Sequence, residues 1–221
     1  MRTYARWLCG IGVLALAGSA ALMFTGAPNQ AADHFDPPGR TDPAVDSSPD
    51  LPADIADVYA WHASDRLNLA VTFAGPNVNT APAFYDRNVL YWLNISTAAP
   101  DDTAEITIRV RFGPGTRPNE FGVRFEGVPG VAGTIEGPVE TTLVKDDVQA
   151  RAGLFDDPFT FDLQGFREIR PSGQVRFNNT RDFFHLQNDT AFVLSIPRSR
   201  IGTGSGVIRV WANTGRIGGQ I

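Results

Sequence analysis

The chain has 221 residues, 43% of them hydrophobic and 19% charged, which is enough apolar content for a folded core and excludes disorder throughout. Its formal charge is −5, or −7 once the two arginines of the first 31 residues are set aside, and Lys145 is the only lysine. An acidic chain without a basic cluster argues against nucleic acid as a partner.

Arg2 and Arg6 precede an apolar stretch whose strongest part, Leu8 to Phe24, is diluted by Gly10, Gly12, Gly18 and Ser19. Small residues follow near Ala27 to Ala32. A basic start, an apolar centre and small residues predict a secretory signal over residues 1–32 and a mature protein in the periplasm or secreted. The apolar run falls short of the about 20 residues that span a bilayer, so a cleaved signal outranks the alternative, a retained membrane anchor. Cys9, the only cysteine, lies inside this segment, so the mature chain is expected to lack thiol chemistry and disulfides.

Residues 33–53 are rich in Pro and Asp and predict an extended leader; residues 54–221 read as one β-rich domain. The 22 glycines and 16 prolines predict short elements joined by many turns. Ile55 to Trp61 and Leu67 to Phe73 form a hairpin about Ser64-Asp65-Arg66, the second run alternating with period two. Val89 to Ile95, Glu105 to Phe112 and Phe121 to Phe125 are further strands, followed by a turn at 127–130. Ala132 to Glu136, Val139 to Val144, Ala191 to Ile196 and Gly206 to Trp211 complete the set. Ala152 to Asp189 reads as a long irregular excursion with one short helix near Asp162 to Phe166, and long loops often carry function. The expectation is an all-β fold, an antiparallel sandwich or open barrel.

Several stretches share their order and spacing with a known family. These are Asp33-His34-Phe35-Asp36-Pro37-Pro38, Asp54 to Trp61, Leu69 to Phe73, Ala152 to Phe159 with Phe161-Asp162-Leu163, Arg181 to Phe184, and Val207 to Ala212. Over about residues 33–221 the chain resembles the exported bacterial family catalogued as domain of unknown function 4331. The resemblance implies an extracytoplasmic protein and carries over no catalytic residue. Family members commonly have an Asp- and Gly-rich turn resembling a calcium loop where this chain has Ser96 to Asp102, with two carboxylates. They also tend to continue beyond the point matching Gln220.

Oxygen-rich and His-containing sets suit divalent cations such as Ca²⁺ or Zn²⁺. His34 and Asp36, Asp54 and Asp57 at a strand start, and the adjacent Asp156 and Asp157 are the candidate metal ligands. For each, the competing role is turn formation or backbone capping. Neighbouring residues on an extended backbone point opposite ways, so Asp156 and Asp157 do not suit the paired acids of glycoside hydrolysis. A site with three histidines would need His34, His62 and His185 together. No HExxH, no G-x-S-x-G elbow and no P-loop lysine is present. Asn94, Asn178 and Asn188 head glycosylation-type triplets that are incidental in a bacterial-type chain. Trp61 or Trp92 would have to face solvent for a sugar-stacking role. The expected function is a binding module or part of an envelope assembly with a protein partner, without catalysis. The alternative is a metal-binding protein or metal-dependent hydrolase using the His/Asp set.

Overall fold

The computed structural model describes residues 37–38, 48–78, 80–100, 102–202 and 206–216. Residues 1–32, expected to form a secretory signal, and His34 and Asp36 lie outside the described residues. Two compact units account for the rest: Phe161–Phe183, and a larger unit holding the described residues up to Thr160 and from Phe184 onward.

The larger unit is an antiparallel sandwich. Ten strands run in chain order: β1 (Ile55–Ala63), β2 (Arg66–Val78), β3 (Val89–Ser96), β4 (Ile106–Pro114), β5 (Phe121–Glu126), β6 (Thr134–Pro138), β7 (Leu143–Lys145), β8 (Val148–Asp156), β9 (Gln187–Pro197) and β10 (Arg209–Arg216). One sheet has the order β1-β2-β9-β8-β7 and the other β10-β3-β4-β5-β6, so neither closes into a barrel. The period-two patterns build the core directly. Leu69, Val71 and Phe73 of β2 and Phe192, Leu194 and Ile196 of β9 face Tyr91, Leu93 and Ile95 of β3 and Ile108, Val110 and Phe112 of β4. Phe73 and Tyr91 centre the packing, 4.5 Å between ring centroids, and Phe192 meets Tyr91 edge-on at 5.7 Å. The buried Tyr91 hydroxyl donates to the Pro52 carbonyl, which keeps its polar tip satisfied.

The predicted hairpin is present, with Ser64 at φ 53° in its two-residue turn. Other expectations need correction. Val148–Asp156 is a strand, so the irregular excursion begins only after it. The short helix is α1 (Leu163–Ser172), ten residues long. Of the run expected over 139–144, only Leu143 and Val144 fall within a strand, β7. The last strand runs to Arg216, well past Trp211.

The smaller unit is organised by Asp162. Its carboxylate caps α1 by accepting from the Gly165 amide at 2.9 Å, and also accepts from the Asn178 amide and the Arg181 guanidinium, both at 2.7 Å. The helix ends at Gly173, left-handed at φ 64°.

Candidate functional sites

Strand register gathers four predicted metal ligands at one end of the first sheet. Asp57 pairs opposite Thr72 on β2, and Asp156 opposite Asn188 on β9, which in turn neighbours Asn77 of β2. Asp54 leads directly into β1. Asp54 and Asp157 are buried, whereas Asp156 is exposed, as alternation requires of adjacent residues. The paired-acid geometry of a glycosidase is therefore absent from Asp156 and Asp157.

Two irregularities shape this end. The β1–β2 register shifts between Ile55 and Asp57, and the β2–β9 register between Phe73 and Asn77. Such bulges re-aim side chains. In the second, Ala74 has φ 55° and Gly75-Pro76 is cis. Asp189 is fully buried, and its carboxylate stands where a Gly75 side chain would be. Asp57 receives a hydrogen bond from the Tyr59 hydroxyl at 3.1 Å, and its own amide donates to Thr72 Oγ1 at 3.0 Å. Burial, then the charges of Asp57, Asp157 and Asp189, push the Tyr59 phenol well above its ordinary value. Asp157 Oδ1 also accepts from the Phe159 amide at 2.9 Å, the turn role expected ahead of Pro158. Sequence reasoning missed Asp189 as a member of this group.

Among the described residues, no three His, Cys, Asp or Glu side chains are arranged to hold a metal ion. His62 pairs opposite Leu67 at one end of β2, while His185 precedes β9 where β9 pairs with Val78 at the other end. At about 3.3 Å per residue those positions are far apart, which overturns a three-histidine site. The turn after β3 is organised by protein groups: the Thr97 amide donates to Glu105 Oε2 at 2.6 Å, and that bond leads in holding the Glu105 carboxyl below its usual range. Asp101 lies outside the described residues.

A second locus lies where the edge strands β1 and β10 approach. A cleft of about 320 Å³ is walled by Val58, Ala60, Leu67, Ile201, Ile208 and Val210, with His62 and Arg198 as polar groups. Trp61 adjoins it and is 48% exposed. Trp92, by contrast, is half-buried and presses its ring where a Gly215 side chain would stand. A larger concavity of about 900 Å³ over Gly113 and Gly122 is an open groove on the second sheet.

Among the described residues no helix is long and apolar enough to cross a membrane. No protein-family profile, curated protein or solved structure matches the chain.

Proposed function

We propose that the chain is an extracytoplasmic β-sandwich of the exported family it resembles, acting by binding and not by turnover. Its ligand site is the cleft between β1 and β10. The observation that carries this reading is an apolar pocket of ligand size with two convergent polar groups, His62 and Arg198, beside a half-exposed Trp61. Such a lining suits a small molecule with an aromatic or apolar body and an anionic end. Anilinonaphthalene sulfonate has that form and serves as the probe. Its fluorescence should rise with the native protein, fall strongly in Ala60→Arg, which fills the cleft, and weaken in Arg198→Gln. Unchanged fluorescence in both variants would sink the proposal.

A second reading is favoured by the surroundings of Tyr59. Asp57, Asp157 and Asp189 all act by charge on one partly buried phenol, so three carboxylates lie near one point at this end of the sheet. Oxygen-rich groups of this kind suit a divalent cation. In this reading His34 and Asp36, which lie outside the described residues, are joined by at most two of Asp54, Asp57, Asp156 and Asp157, since the described side chains do not form a set of three by themselves. Purified protein should then carry metal by elemental analysis, and a chelator should lower its melting temperature. If no metal co-purifies and neither Ca²⁺ nor Zn²⁺ moves the melt, the reading fails.

A further inference from the structure

The unit Phe161–Phe183 differs in charge and surface from the rest of an acidic chain. It carries four arginines against three acids, whereas the whole chain is at −5. Arg181 is committed to the buried Asp162. Arg167, Arg170 and Arg176 are exposed and form no ion pair among the described residues; Arg176 donates only to Gln174 Oε1, at 3.0 Å. The Phe161 ring is flanked by Phe166 at 5.4 Å and Phe177 at 5.9 Å. Despite that packing, Phe166 is 44% exposed, Phe177 52% and Val175 77%. Exposed apolar groups concentrated in one short unit mark an interaction surface.

We propose that this unit docks on an anionic phospholipid surface. Guanidinium groups match phosphate oxygens in a planar, two-point manner that a lysine ammonium does not. Phe and Val side chains flanked by cations suit the boundary between headgroups and acyl chains. A phospholipid offers both chemistries at once, phosphate for Arg167, Arg170 and Arg176, and hydrocarbon for Phe166, Val175 and Phe177. The inference is independent of the cleft and of the acidic end of the sandwich.

The experiment uses the full chain with Cys9→Ser and Asn179→Cys, the new thiol carrying an environment-sensitive fluorophore. The label reports on this unit even if the apolar N-terminal segment also meets lipid. With vesicles of phosphatidylcholine and phosphatidylglycerol, the emission should shift to the blue and be quenched by spin-labelled acyl chains. Vesicles of phosphatidylcholine alone should leave it unchanged. Adding Arg167→Gln, Arg170→Gln and Arg176→Gln together should weaken vesicle partition by about a hundredfold, at roughly fivefold per charge. Phe166→Ser with Phe177→Ser should remove the acyl-chain quenching. A label that stays in water on anionic vesicles, or an arginine variant that partitions like its parent, overturns the proposal. A response to polyglutamate without one to vesicles also overturns it, and assigns the surface to an acidic protein.

Discussion

Gly75 shows how far a single position can be constrained by a neighbour distant in sequence. A methyl group there would lie 1.7 Å from Asp189 Oδ1, and the aspartate is fully buried. Gly75→Ala must push a carboxylate out of its place or shift a bulged strand, either of which costs about 1–3 kcal/mol. The melting temperature should fall by several degrees. Gly113→Ala should leave the melt close to that of the parent, since nothing lies within 4 Å of its added carbon. Equal melts for the two variants would show that Asp189 yields freely. Asp189 was hidden in the sequence because Asn188-Asp189-Thr190 reads first as a glycosylation triplet. A better signal was available: a carboxylate at the head of a strand whose following residues are apolar. Asp57 and Asp157 were legible as candidates, but their common end of the sheet emerges only from strand register.

Among the elements, the unit around α1 depends on one ionised group. Burial raises the Asp162 carboxyl, but the Gly165 and Asn178 amides and Arg181 outweigh it and hold the group below its ordinary 3.8. A lowered folded value means that the stabilisation is fully present above 3.8 and is lost as the pH falls through the folded value. Amide exchange measured below that point should show α1 and residues 176–181 losing protection as Asp162 protonates. Asp162→Asn should show the same loss at neutral pH and a flatter acid profile; indistinguishable profiles would refute the role. Recognition of this element from sequence was partial. Asp162 is a recognisable capping residue, yet Pro171 near the far end discourages extending a helix to Ser172. Strand β8 was missed for a different reason. Inward Val148, Ala150 and Ala152 do alternate with outward Gln149 and Arg151, but small residues stand where the branched ones that mark strands are expected, and the buried Gly153 then breaks the pattern. By contrast β4, with Arg109 and Arg111 outward and Ile108 and Val110 inward, was legible because one face meets water.

Across the whole sandwich, the first and last described parts of the domain are joined by charge. Arg216, at the end of β10, donates Nε and Nη2 to the two carboxylate oxygens of Asp50, each at 2.5 Å, and Nη1 reaches Asp86 at 2.9 Å. Asp50 is buried and the Arg216 side chain is only 9% exposed. Asp50→Ala would strand a guanidinium that Asp86 only partly compensates, a loss of about 3 kcal/mol by comparison with other broken buried pairs. Urea unfolding should show the midpoint falling with the slope unchanged; an unaltered midpoint would mean the pair contributes nothing net. The Thr214 hydroxyl adds a bond to the Ala53 carbonyl at 2.8 Å beside this pair.

That closure has a mechanical consequence. Tension applied between residues 50 and 216 meets the Asp50–Arg216 clasp before it reaches the hydrogen-bonded ladders. The load is carried across a single two-point contact and not sheared along nine-residue strands such as β1 and β4. Until the clasp gives way, a pull on flanking chain would leave the sandwich interior unloaded.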